Sequence, residues 1–139
     1  MIGFVVTGHG EFATGITSSL EMIGGVQEQY EKVVFLAENP LEQLSEELLA
    51  AIEKVDSGEG VIIFTDLKGG TPFNESIKIS FTNPSVHVVA GTNLPMLLEG
   101  SLSRTGVTDL KNFIDQLVKT GQEQVQRFEI PTSFDDGDL

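Results

Sequence analysis

The chain predicts an α/β fold, an open doubly wound parallel sheet of four strands with helices on both faces. Two observations carry the prediction. Short β-branched apolar runs alternate along the chain with segments of helical periodicity, and the runs are bounded by glycine-rich or polar stretches, as strands buried on both faces are. Parallel neighbours need right-handed crossovers, so the alternation itself implies helices on both sides of the sheet.

The elements follow in order. Ile2 to Val6 (IGFVV), closed by TGHG, reads as the first strand. From Glu11 to Ile23, Phe12, Ile16, Leu20 and Ile23 recur every three or four residues, and Gly24-Gly25 supplies a stop, which defines a first helix. Tyr30 to Leu36 reads as the second strand. After Asn39-Pro40, Leu41, Leu44, Leu48, Leu49, Ile52 and Val55 make a second helical stripe that ends near Asp56-Ser57-Gly58. GVIIFTD is the most strand-like segment, closed by Asp66. A Gly-Gly loop then leads into a helix through Ser80, with Thr71 ahead of Pro72 at its first position. VHVVAG is the fourth strand; LPMLLEGSLS and DLKNFIDQLVKTGQEQV are two further helices separated by RTGVT. RFEI, near the end, reads as a short strand, and DDGDL closes the chain as a polar tail. Residues 1–130 are expected to form a single domain and 131–139 an acidic tail. Met22, Met96 and the phenylalanines are expected in the core.

Composition excludes several function classes. With 139 residues and 40% of them hydrophobic, one continuous core is within reach. The 21 acidic residues against 8 basic ones give a formal charge of -13, which repels nucleic acid and anionic membrane surfaces. There is no cysteine, hence no disulfide, no thiolate nucleophile and no thiolate metal site. No GxxxxGK[ST] motif, dinucleotide fingerprint or cluster of metal-ligand spacing is present, so neither a cofactor nor a metal is expected. The absence of a basic n-region or a long apolar run makes a cytoplasmic location without membrane insertion the expectation.

In a doubly wound sheet, ligands bind beyond the carboxyl ends of the strands. His9 follows the first strand, Asp66 ends the third, Gly69-Gly70-Thr71 comes next, and Asn93 and Pro95 follow the fourth, so all of them are expected on one rim. A carboxylate accepting the Nδ1 proton of an imidazole leaves the Nε2 lone pair free and stabilises positive charge when that nitrogen acquires an electrophile. Gly69 and Gly70 let amides approach an anion, a helix starting near Pro72 adds its positive end, and Thr71 adds a hydroxyl. Together these make a phosphoryl cradle. Plainer readings stand beside this one. Asp66 is also a suitable loop cap through backbone amides, Gly69-Gly70 a tight turn, Asn93, whose place on the rim also suits contact with a partner, the N-cap of the helix that follows, and the acid surplus a solvated face. His87 lies inside a strand and is read as structural.

At these residues the chain resembles the enzyme IIA component of the mannose family (mannose/fructose/sorbose type) of the bacterial phosphoenolpyruvate-dependent sugar phosphotransferase system. GHG after the first strand, DLKGGTPFN after the third and GTNLPMLLE after the fourth carry the resemblance over about 130 residues, in the order the family has them. The resemblance implies a phosphocarrier that takes a phosphoryl group from the phosphocarrier protein HPr and passes it to a histidine of the IIB component, with membrane IIC and IID components as functional associates. His9 matches the acceptor, Asp66 the carboxylate that orients it, and Thr71 the Ser or Thr beside the phosphate. The resemblance further implies a homodimer in which a C-terminal strand crosses to the neighbouring subunit, and QRFEI lies where that strand falls; edge pairing explains why a lone strand persists. Lys68 departs from the family's usual apolar or aromatic residue, and either helps to attract phosphate or a partner or is simply solvated. Three other functions remain compatible with these residues: a relay subunit of a dihydroxyacetone kinase system, a regulatory module phosphorylated on His9, and a small-molecule binding domain that uses His9 as a ligand contact.

Overall fold

The computed structural model describes residues 1–133 and 136–138 of the chain. Four strands, β1 (Gly3–His9), β2 (Tyr30–Phe35), β3 (Val61–Thr65) and β4 (Val86–Val89), form one parallel sheet in the order β2-β1-β3-β4. They alternate with α1 (Phe12–Gly24), α2 (Leu41–Val55) and α3 (Thr71–Thr82), and the chain continues through α4 (Leu94–Ser103) and α5 (Leu110–Glu123).

Strand pleating divides the core in two. Phe4, Val6, Ile62 and Phe64 face α1, α4 and α5, where they meet Ala13, Leu20, Leu97 and Leu117. Val5, Ile63 and Val86 face the other way, onto Leu44, Leu48 and Ile52 of α2 and Ile79 of α3. Each fully buried Leu, Ile or Phe contributes about 1.5–3 kcal/mol, so both faces are needed to hold the sheet. α1 and α3 thus lie on opposite faces. The loops that leave β1 and β3 therefore diverge, and a crevice opens between the carboxyl ends of these two neighbouring strands.

Several expectations shift. β1 runs to His9, not Val6, because Thr7, Gly8 and His9 pair with Val33, Val34 and Phe35 of β2. β3 pairs with β1 only as far as Thr7, so it is the β2 ladder that carries the weak strand formers Gly8 and His9 along. The RFEI strand is not formed within the chain. Residues 125–131 have no regular structure, and Val125, Phe128 and Ile130 are exposed, since the segment pairs with no sheet edge of its own chain. Met22 is 92% exposed and Phe81 lies on the surface with Phe128, whereas Met96 is in the core. α1 turns the smaller side chains Ala13 and Thr17, with Leu20, toward the sheet, which rotates Met22 outward. Of the tail expected over 131–139, residues 134, 135 and 139 lie outside the described residues.

Arg104, unremarked in the sequence, is buried just past α4. Its guanidinium stacks 4.6 Å from the Phe4 ring centre and donates to the carbonyls of Ile2 (3.0 Å), Gln29 (2.9 Å) and Glu28. Burial lowers its pKa. It staples the amino ends of β1 and β2, opposite the crevice.

Candidate functional site

His9 is the last residue of β1, and Asp66 stands one position past β3. Thr7 pairs with Thr65, so Gly8 and Asp66 are neighbours across the strands. Gly8 is what lets the carboxylate lean over β1. A Cβ there would sit 2.8 Å from Asp66 Cγ and 2.6 Å from the Phe12 ring. Asp66 Oδ2 accepts the His9 backbone N–H at 2.8 Å and lies 2.9 Å from His9 Nδ1, while Oδ1 accepts the Leu67 N–H at 2.8 Å. Asp66 therefore both orients the imidazole and caps its own loop. Partial desolvation raises its pKa, but the His9 amide, the His9 ring and the Leu67 amide outweigh it, and the net direction is downward. An ionised Asp66 accepts from Nδ1–H, which fixes the tautomer with the lone pair on Nε2.

The ring is 47% exposed and has a wall on two sides. Phe35 of β2 meets it edge-on at 6.3 Å between centroids. Gly70 lies against its far edge, so closely that a Cβ at Gly70 would fall 2.6 Å from Cε1 and 3.2 Å from Nε2. Leu67, Lys68, Gly69 and Gly70 make a tight turn in which the Gly70 N–H donates to Leu67 O at 3.1 Å, and the third position, Gly69, has φ +84°, which favours glycine. Lys68 and Leu67 are exposed on this turn.

α3 then begins with Thr71 at its first position and Pro72 at its second, and Gly70 rather than Thr71 occupies the cap. The Gly70 N–H is taken by the turn and Pro72 has none. Among the described residues the N–H groups of Thr71 and Phe73 meet no acceptor. They are the amides open to an anion at this helix start, joined by the Thr71 hydroxyl. Asn93 is engaged elsewhere. Its Oδ1 accepts the Met96 N–H at 3.2 Å as the cap of α4, and its Nδ2 donates to Gly121 O at 2.9 Å. His87 is the second residue of the edge strand β4, paired with Ile62 toward the amino ends of the strands and so away from the rim that carries His9. No group of three His, Asp or Glu side chains placed to hold a metal ion occurs among the described residues, and none of their helices is long and apolar enough to cross a membrane.

Four residues at the site were not singled out from the sequence: Gly8, Phe35, Phe73 with its open amide, and Asn74, whose Nδ2 donates to Gly69 O at 3.1 Å. Gly8 carries a signal, being one of the glycines flanking His9. Phe73 and Asn74 lie within the DLKGGTPFN stretch. Phe35 had none, because its place beside His9 depends on the register between β1 and β2.

Residues 3–118 match the family model EIIA-man, the PTS system fructose IIA component. The PTS system mannose-specific EIIAB component of Escherichia coli (strain K12) is 32% identical over 125 residues, which make up 90% of this chain but 39% of that protein. The chain thus spans well under half of that relative's length. The PTS system sorbose-specific EIIA component of Lacticaseibacillus casei is 30% identical over 119 residues, 86% of this chain and 85% of the relative. Among solved structures, the mannose/sorbose specific IIA subunit of the phosphotransferase system from Enterococcus faecalis has a TM-score of 0.85 at 29% identity, covering 95% of this chain and 98% of that one. A match across most of the chain, on the same α/β fold, means that this chain belongs to the EIIA-man family of sugar phosphotransferase system components.

Proposed function

We propose that the chain is a cytoplasmic phosphocarrier, taking a phosphoryl group from the phosphohistidine of HPr onto His9 Nε2 and passing it to a histidine of a IIB component, in support of sugar uptake through membrane IIC and IID partners. The Nε2 lone pair forms the new N–P bond as the donor's P–N bond breaks, and the electron pair of the broken bond returns to the donor imidazole. Nδ1 keeps its proton throughout. Asp66 stabilises the positive charge that the phosphorylated ring acquires, and the Thr71 and Phe73 amides, the Thr71 hydroxyl and the positive end of α3 receive the phosphoryl oxygens. Hydrogen bonds to charged groups of this kind contribute about 1.5–3 kcal/mol each. Such transfer relies on positioning and charge stabilisation, and calls for no nucleotide at this step.

The observation that carries the reading is the 2.9 Å Nδ1 to Asp66 pair in a half-exposed ring whose other nitrogen borders the start of α3. Exposure matters because donor and acceptor histidines on other proteins must dock in turn. Incubation with phosphoenolpyruvate, enzyme I and HPr is expected to place acid-labile phosphate on His9; label on His87, or none, defeats the reading. The tail belongs to the same proposal. Val125, Phe128 and Ile130 are exposed while β4 is an open sheet edge, and pairing the segment with β4 of a second copy covers both. Sedimentation should give a dimer for the natural chain and a monomer for Phe128→Asp/Ile130→Asp; an unchanged mass removes the exchange from the proposal.

A further inference from the structure

The peptide joining Gly69 and Gly70 is held at both ends. Its N–H donates to Leu67 O, and its carbonyl accepts from Asn74 Nδ2 at 3.1 Å. Asn74 is itself fixed by its backbone N–H, which donates to Gly70 O at 2.9 Å as α3 begins. This peptide leads directly to the Gly70 Cα that walls the Cε1 and Nε2 edge of His9. Nothing else in the fold asks for asparagine at this place. Asn74 is exposed, so the core does not need it, and asparagine is a weak helix former because its amide competes for backbone groups. Here that competition is put to use.

We propose that Asn74 is a positioning residue for phosphoryl transfer, acting through the Gly69-Gly70 peptide. Its amide keeps the Gly69 carbonyl engaged, so that the oxygen does not turn toward the anionic phosphoryl group, and it keeps Gly70 in place against the His9 ring. The inference rests on the reading that His9 carries the phosphoryl group, and the test separates the two by using two donors. Phospho-HPr probes the whole exchange. Phosphoramidate, a small donor that releases ammonia as its P–N bond gives way to the Nε2–P bond, probes His9 and its surroundings alone.

Asn74→Ala should slow phosphorylation of His9 about fivefold with either donor, the worth of one exposed hydrogen bond. The loss should fall on the rate at saturating phosphoramidate, leaving the half-saturating concentration unchanged. Asn74→Asp, which sets an acceptor against the Gly69 carbonyl and a negative charge near the phosphoryl group, should lose about tenfold or more. Gln27→Ala removes a side-chain amide that likewise donates to backbone carbonyls, those of Gly24 and Gly25, and serves as the control expected to match the natural chain. Unchanged rates in both Asn74 variants overturn the inference, as does an equal loss in Gln27→Ala. If the natural chain accepts from phosphoramidate but not from phospho-HPr, the proposed function fails, and the Asn74 inference stands or falls on the phosphoramidate rates. If His9 accepts from neither, both fall.

Discussion

Replacing Gly70 by alanine separates catalysis from stability at this site. The backbone at Gly70 has φ -75° and ψ 167°, which any residue adopts, and its N–H and carbonyl bonds persist in the variant. The new methyl would lie 2.6 Å from His9 Cε1, whereas ordinary contact begins at 3.4 Å, so the ring must retreat by about 0.8 Å. The ring is half exposed and retreats easily; the folding cost should stay within about 0.5 kcal/mol, a few degrees or less in Tm. Alignment does not survive so cheaply. A displacement of that size stretches the 2.9 Å bond to Asp66 and tilts Nε2 off the line of transfer, for an expected loss of about 100-fold in rate. Single-turnover transfer from phospho-HPr by rapid quench, alongside thermal unfolding by circular dichroism, measures both quantities. A variant that transfers at the natural rate refutes the argument, and so does one that loses several kcal/mol of stability. Gly69→Ala is the complementary case. Its φ of +84° makes any side chain strained while the space around it is open, so it should cost about 1 kcal/mol without touching the ring.

Asp66→Asn should cut the transfer rate by about 100- to 1,000-fold, because a neutral amide does not stabilise the positive charge of the phosphorylated ring and, whichever way it turns, its NH2 meets a backbone N–H, that of His9 or of Leu67; a loss below tenfold would count against the charge argument. Because folding depresses the Asp66 pKa, its contribution to stability is present above the ordinary aspartate range and disappears as pH falls through the lowered value. The natural chain should thus lose Tm on acidification more steeply than the Asn variant, and parallel curves would refute the shift. Tyr30, the single tyrosine in a chain without tryptophan, has its phenol pushed up to about 12, chiefly by burial, with its hydroxyl 2.7 Å from Thr17 Oγ1. An absorbance titration should show no phenolate near the ordinary value of about 10, with stability declining as pH rises from there toward the folded value. Arg104→Met takes the guanidinium from three carbonyls, of which Gln29 O keeps the Phe4 N–H while those of Ile2 and Glu28 lose this donor, and should cost about 3 kcal/mol in urea unfolding; a loss under about 1 kcal/mol would show that backbone rearrangement or water replaces it.

Much of the fold was legible because its signals are local. The stripe of Leu44, Leu48, Ile52 and Val55 carries its period within a few turns and marks α2, which ends at Val55 just ahead of the expected stop near Asp56-Ser57-Gly58, and Leu94 to Ser103 became α4 as read. His9, Asp66 and the glycine turn could be assigned to one rim because a strand's carboxyl end is known once its direction is known. Where prediction slipped, the deciding partner was elsewhere in the chain. β1 extends to His9 because β2 pairs with it, Met22 faces water because α1 rotates on the sheet, and RFEI lacks an edge within its own chain.

What the amino-acid order determined alone is the alternation of elements, the placing of an imidazole, a carboxylate and a glycine turn at successive strand ends, and an acidic surface without thiols. What the tertiary structure decided is contact. The register Thr7 to Thr65 brings Asp66 over Gly8 onto Nδ1, the register of β2 sets Phe35 beside the ring, and Asn74 reaches back to Gly69. The reason is one of range. Periodicity and turn chemistry act within a few residues, whereas a hydrogen bond 2.9 Å long between residues 57 positions apart exists only after the sheet has chosen its order and register.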